Sequence, residues 1–320
     1  MRALQISQFG SPPGLRTVPV PVPGPGELLV RTAACGLNFA DLLMIEGRYQ
    51  DTPPLPFTLG MEIAGTVEAC GPGVTGVAQG TRVAAVPGSG GLADFVCIPA
   101  ARCLPIPQNM SFVQAAAFQI AYGTSHLALD HRARLQPGET LLVLGAAGGV
   151  GLTAVEIGKR MGARVIASAR GPERLAIAQQ AGADVLIDSD TADLRAELRA
   201  AGGVDVVFDA VGGPAFMQAL RATRPEGRLL CIGFAGGDVP QIPANLLLVK
   251  NLSVIGLYWG GYLAFRPEAL TASMATLLGW FQDGLLTPHV SEVLPLDRAT
   301  EGFDLLRGRK ATGKVVVTLP

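Results

Sequence analysis

The chain has 320 residues, long for a single core, so two domains are the natural expectation. It is 49% apolar and 16% charged, and 25 basic against 26 acidic side chains leave a net charge of −1. With no concentrated basic patch, that balance argues against a broad nucleic-acid surface. No run is long and apolar enough to span a bilayer, and the opening MRALQISQFG lacks a signal core and reads as a strand. Cys35, Cys70, Cys97, Cys103 and Cys231 form no CxxC pair, so reduced, structurally buried thiols and a cytoplasmic location are expected. None of His126, His131 and His289 shares a metal-ligand spacing with these cysteines.

Residues 1 to 121 read as a β-rich domain with a folded-over barrel. MRALQIS, GELLVRTAAC, EIAGTVEACG, TRVAAV and LADFVCIPA are short strand candidates separated by Gly/Pro turns. Within it, GLNFADLLMIEGRY (36–49) sets polar residues into an apolar helical stretch. Asn38 can cap that helix or bind ribose or substrate, and Asp41 can orient such a network or lie on the surface. Tyr49 can donate a hydrogen bond to a carbonyl, present an aromatic wall or simply pack.

Helical character begins with NMSFVQAAAFQIAYGTSHLAL (109–129), which enters a second domain spanning 122–259. Its centre is TLLVLGAAGGVG (140–151), a short apolar strand, a turn marked by Gly145, Gly148 and Gly151, and then a helix with Val150, Ala154, Ile157 and Met161 on one face. Glycines at a strand-to-helix turn let backbone N–H groups approach a pyrophosphate, which is the pattern of a dinucleotide site. ARVIASAR, DVLID, VDVVFDAVGG, GRLLCIGFAGG and NLSVIGLYW supply further strands between helices. The alternation predicts an α/β domain with a doubly wound parallel sheet, its ligand across the strands' carboxyl ends near Gly145, Ser168, Asp209 and Gly233. An NAD-specific site places an acid at the end of the second strand; here stand Ser168, Ala169 and Arg170, with Arg174 beyond. A serine and two arginines suit the 2′-phosphate of NADPH.

After residue 259 the alternation stops, and residues 260–320 are expected to rejoin the first domain. RPEALTASMATLLGWFQDG reads as an amphipathic helix with Leu270, Met274, Leu277 and Phe281 on one side. LDRATEGFDLLRGRK reads as another helix, with Phe303 and Leu306 inward. GKVVVTLP closes as a strand whose Lys314 reads as a surface residue.

NFADLLMIEGRY, LGMEIAGTV, AAGGVG, VDVVFDAVGG and GKVVV, in that order, resemble the zinc-independent quinone oxidoreductases of the medium-chain dehydrogenase/reductase superfamily. The resemblance covers essentially the whole chain and implies a GroES-like barrel domain interrupted by a Rossmann NADPH-binding domain. It implies a substrate site with Asn38, Asp41 and Tyr49, and Thr124 at the nicotinamide. Gly145, Gly148, Gly149, Val150 and Gly151 fall at the pyrophosphate turn. Ser168, Arg170, Arg174 and Ser189 fall near the adenosine phosphate, and Val211, Gly233, Phe234 and Tyr258 complete the cofactor set. Asn38 and Met61 stand where zinc relatives carry Cys and His ligands, so no metal is expected. Ser189 and Leu43 replace tyrosines of some quinone reductases, the latter leaving a more apolar pocket.

The expected activity is hydride transfer from NADPH to a quinone, a small electrophilic acceptor, with Tyr49 or Asn38 donating to the acceptor oxygen. The alternatives are an enoyl reductase acting on enones, enals or acyl-CoA thioesters and, in another class, a crystallin-like structural or RNA-binding protein. A homodimer is also implied, with no membrane or nucleic-acid partner.

Overall fold

Apolar runs cut by glycine and proline dictate strands at the start of the chain. The structure, a computed structural model describing Met1–Pro320, forms them. They are β1 (Arg2–Ile6), β2 (Gly14–Thr17), β3 (Glu27–Gly36), β4 (Phe57–Thr58), β5 (Glu62–Cys70), β6 (Arg82–Ala85), β7 (Phe95–Pro99) and β8 (Cys103–Pro105), with helix α1 (Phe39–Ile45) after β3. Two helices follow, α2 (Phe112–Ala116) and α3 (Gln119–His126). Alternation then sets in: β9 (Thr140–Leu144), α4 (Gly149–Arg160), β10 (Arg164–Ala169), α5 (Gly171–Gln180), β11 (Val185–Asp188), α6 (Leu194–Ala200), β12 (Val204–Asp209), α7 (Gly213–Ala222), β13 (Thr223–Cys231), α8 (Ala244–Lys250) and β14 (Ser253–Gly256). The chain ends with α9 (Tyr262–Phe265), α10 (Pro267–Gln282), β15 (Val290–Pro295), α11 (Ala299–Arg307) and β16 (Lys314–Thr318).

The chain divides into two compact units, one of Met1–Ile120 with Gln282–Pro320, the other of Ala121–Phe281. The return to the first unit thus falls after Phe281, where the sequence placed it at 260. Helix α10 stays with the second unit because Leu270, Met274, Leu277 and Phe281 are buried there. His126 also holds Ser273 through Nδ1 at 2.9 Å and meets Trp280 edge-on.

In the first unit, β3 is the spine of a sheet ordered β15-β16-β3-β5-β6-β8. One edge of β3 pairs with β5; the other takes β7 along Glu27–Arg31 and β16 along Ala34–Gly36. Register slips against β5 at Leu29/Val30 and Thr32/Ala34 bend the strand, as bulges do when a sheet curls toward a barrel. A small sheet, β2-β1-β4, stands beside it. The core joins both ends of the chain: Ile6, Leu28 and Ile63 pack in one cluster with Phe303, Val315 and Val317.

The second unit carries a six-stranded sheet ordered β11-β10-β9-β12-β13-β14, every pair parallel. All five residues of β9 are buried, as a strand covered by helices on both faces requires. The strand order reverses between β9 and β12, whose ends lie level, Leu144 opposite Asp209. Ligands of open α/β sheets bind outside the carboxyl ends at that reversal. No helix is long and apolar enough to cross a membrane. The expectation of buried thiols holds for Cys35 and Cys103; Cys70 is exposed, and Cys97 and Cys231 are half-buried.

Candidate active site

In the first unit the polar residues of the 36–49 stretch gather around α1. Asp41, in the first turn, is fully buried. Its carboxylate accepts the Asn38 backbone N–H at 2.8 Å and the Gly60 N–H at 3.2 Å, tying the start of the helix to the segment before β5. Gly60 has φ +99°, and a β-carbon there would lie 2.5 Å from the Leu92 nitrogen, so only glycine carries the chain past this point. Burial pushes the Asp41 carboxyl up to about 7, against the two backbone donors and Lys314, which lower it.

The Asn38 side chain does not cap the helix; Asp41 serves that end, and the amide turns away. Asn38 Nδ2 donates to Gly36 O at 3.2 Å and to Glu62 Oε1 at 3.0 Å, and Oδ1 accepts from Lys314 Nζ at 2.8 Å. Lys314, expected at the surface, is therefore a core residue, 5% exposed. Its ammonium also donates to Leu37 O at 2.8 Å and to Glu62 Oε1 at 2.7 Å. Glu62, fully buried, accepts the Ile120 N–H on its other oxygen at 3.0 Å. Taking a charged pair out of water is tolerable because the remaining lone pairs and protons are engaged.

Glu62 and Lys314 are the site residues that sequence reasoning missed. The signal was available: each is a charge at the start of an otherwise apolar strand, EIAGTV and KVVV. Tyr49, half-buried just beyond α1, packs against the same core. Burial pushes its phenol up to about 12, with Asp51 and Asp41 adding to the effect, so the hydroxyl keeps its proton at neutral pH.

In the second unit the glycine turn stands at the end of β9, next to the sheet's reversal. Gly148 is the N-cap of α4 and supplies no side chain to its first turn, so the helix's leading N–H groups have no side-chain cap. Gly151 packs so close to the turn that a β-carbon would lie 2.1 Å from Gly145 O. Gly145 and Ala146 donate to Ser168 O, both at 3.0 Å, drawing the end of β10 to the turn. Val211 reaches in from the segment after β12, its Cγ2 3.0 Å from where a β-carbon at 145 would sit.

Of the other expected cofactor residues, Arg170, Ser189, Gly233 and Tyr258 follow the carboxyl ends of β10, β11, β13 and β14. Arg170 follows β10 and is exposed, Arg174 is half-buried on α5, and Ser189 donates its N–H to Ala169 O at 3.0 Å. Phe234 lies over Gly212, and Gly233 donates to Asp209 O at 3.3 Å. Tyr258 follows β14 and is 38% exposed, whereas Thr124, on α3, is 7% exposed. Asp188 ends the strand beside β10, but its Oδ1 accepts the Gly171 and Asp190 N–H groups, each at 3.0 Å. Those bonds hold its carboxyl below the usual range and engage it in the loop. The buried carboxylate of Asp209 likewise holds the Val211 and Gly212 N–H groups, although burial pushes its pKa up.

Two outcomes follow from this geometry. Gly151→Ala is expected to weaken NADPH binding at least about ten-fold by displacing the turn, measured by fluorescence titration; unchanged affinity contradicts the cradle. For Asp41, a folded pKa near 7 above the ordinary 3.8 means that its stabilising contribution is present in acid and is lost as pH rises between those values. Thermal melts of wild type and Asp41→Asn across this range should therefore show the wild-type advantage shrinking toward pH 7 and flat above it. A constant difference would mean that Asp41 is ionised in the fold throughout.

The chain matches two family models, the alcohol dehydrogenase GroES-like domain over residues 24–108 and the zinc-binding dehydrogenase over 149–277. It is 41% identical to mouse quinone oxidoreductase-like protein 2 over 324 residues, covering 99% of this chain and 92% of the relative. Among solved structures, the quinone oxidoreductase of Thermus thermophilus, also determined as its NADPH complex, is 36% identical with TM-score 0.89. The Escherichia coli quinone oxidoreductase complexed with NADPH is 28% identical with TM-score 0.92; in both comparisons the whole of each chain is covered. The chain thus belongs to the quinone oxidoreductase family of the medium-chain dehydrogenase/reductase superfamily.

Proposed function

We propose that the protein is an NADPH-dependent oxidoreductase that reduces quinones without zinc. The observation that carries this reading is the uncapped start of α4 behind the glycine turn, at the sheet's reversal. Free N–H groups and the positive end of a 12-residue helix form a cradle for a pyrophosphate. The NADPH complexes of the Thermus and Escherichia relatives support the same cofactor. Ser168, Arg170 and Arg174, with no acid at the end of β10, support the 2′-phosphate.

NADPH, when bound, supplies a hydride; the chain's own residues hold the reactants and the acceptor's developing charge. Both hydrogens of the Asn38 amide are engaged within the protein, which corrects the expectation that Asn38 donates to the acceptor oxygen. That role falls to Tyr49, protonated at working pH. Asp41, fully buried, orients α1 and the Gly60 segment. One matched model is described as zinc-binding, but the residues do not fit that metal. The Asn38 amide is tied to Lys314, Glu62 and Gly36, and Met61 offers only a thioether. No group of three or more His, Cys, Asp or Glu side chains is placed to hold a metal ion.

The proposal includes a reducing, cytoplasmic setting, supported by five unpaired cysteines. It includes a homodimer across the open edge of β14, supported by Leu248 and Val249, apolar and 76% and 68% exposed in the helix preceding that strand. Light scattering should then read twice 33.1 kDa, and a monomer at all concentrations would refute the dimer.

NADPH oxidation is the direct assay, with a simple quinone, an enone and an enoyl-CoA at matched concentrations. Turnover of the quinone above the other two, lost at least about ten-fold in Tyr49→Phe, is expected. Preference for the enone or enoyl-CoA would reassign the protein as an enoyl reductase. Leu43, half-buried where some quinone reductases carry a tyrosine, is the feature that favours that second reading.

A further inference from the structure

The Asn38 amide is over-determined. Rotating it by half a turn would set Nδ2 against the Lys314 ammonium, donor to donor. It would also set Oδ1 against Gly36 O and Glu62 Oε1, acceptor to acceptors, so only the observed orientation satisfies all of them. Lys314 and Glu62 are buried, while Asn38 is half-exposed and is the network's opening to solvent. With both amide hydrogens engaged, Asn38 can offer a ligand only the second lone pair of Oδ1.

We propose that Lys314 and Glu62 are positioning residues that fix Asn38 as a hydrogen-bond acceptor for a ligand hydroxyl. This rests on the oxidoreductase reading for its ligands but not for its geometry. The hydroxyl belongs to the reduced, hydroxylic product. A ligand carbonyl, which can only accept, finds no partner in Asn38. The ammonium makes the arrangement selective: it donates to Leu37 O, Asn38 Oδ1 and Glu62 Oε1, using all three of its hydrogens. A neutral side chain of similar length would leave Oδ1 unheld and Glu62 an unpaired buried charge.

The test is made on the full chain. In ¹⁵N spectra the Asn38 side-chain NH₂ pair, identified by its loss in Asn38→Ala, is expected to exchange slowly with solvent in the wild type. A freely exchanging pair overturns the proposal without recourse to any Lys314 variant, so the test survives even if Lys314→Met does not fold. In folded Lys314→Met the exchange should accelerate at least about ten-fold; unchanged exchange overturns the proposal. For the acceptor, kcat/KM should fall roughly ten-fold or more in both Asn38→Ala and Lys314→Met, and no further in the double variant. Additive losses, or an unaffected Asn38→Ala, would overturn positioning through Asn38.

The product hydroxyl is tested by binding. Inhibition by hydroquinone is expected to weaken in Asn38→Ala and Lys314→Met. If it does not weaken, the acceptor role is wrong. A wild type that leaves NADPH unoxidised in the presence of the quinone, the enone and the enoyl-CoA, yet shows the protected amide pair, deprotected in Lys314→Met, defeats the functional reading while upholding the positioning.

Discussion

The first unit depends on one buried ion pair. Lys314 opens the last strand and Glu62 opens β5, 252 residues apart in the chain, and their 2.7 Å contact lies inside the protein. A buried pair of this kind is weak evidence for net stability, because desolvation offsets much of the attraction. Breaking it by removing one partner is costly, since the other is left charged and unpaired. The pair therefore acts as a register device: β16 must meet β3 where the ammonium can reach Leu37 O, Asn38 Oδ1 and Glu62 Oε1 together. The same contacts that seat the carboxyl-terminal strand also set the Asn38 amide, so assembly of this unit and the geometry of its candidate site are one event.

The second unit follows a different constraint. Its strands are all parallel, so each crossover must bring the chain back to the same end of the sheet. The carboxyl-terminal loops consequently collect on one side, and the reversal between β9 and β12 sets the glycine turn beside Val211. Carboxylates there are engaged with backbone: Asp209 holds the Val211 and Gly212 N–H groups and Asp188 holds those of Gly171 and Asp190. The start of α4 has no side-chain cap and follows the glycine turn at the end of β9, which is why the proposed pyrophosphate site is set there.

Much of the fold was legible because it is written in local patterns. Five of the six parallel strands are largely apolar runs of four to six residues, while β13 opens with the polar TRPEGR before its apolar LLC, and the glycine spacing after β9 identifies a turn whose backbone approach only glycine permits. Strands β2, β4, β8 and β15 escaped because they are short or polar and owe their pairing to neighbours. The boundary at α10 escaped because an amphipathic helix declares a buried face but not which core it joins; His126 and Trp280 decide that. Lys314 was misread for the same reason: a lysine flanking a strand is ordinarily solvated, and only the three-dimensional meeting with Glu62 and Asn38 makes it internal. Asn38 stands at the N-cap of α1 as the sequence allows, but its side-chain amide is held by Glu62 and Lys314, while the Asp41 carboxylate closes the helix start.

The central claim is hydride transfer to a quinone in a site that needs no metal. Its most direct measurement is single-turnover NADPH oxidation by chelator-treated protein, comparing NADPH with NADPH deuterated at the transferring position, quinone as acceptor. The account predicts a primary isotope effect on a rate that chelation leaves unchanged. Loss of the reaction on chelation, restored by added zinc, would contradict it.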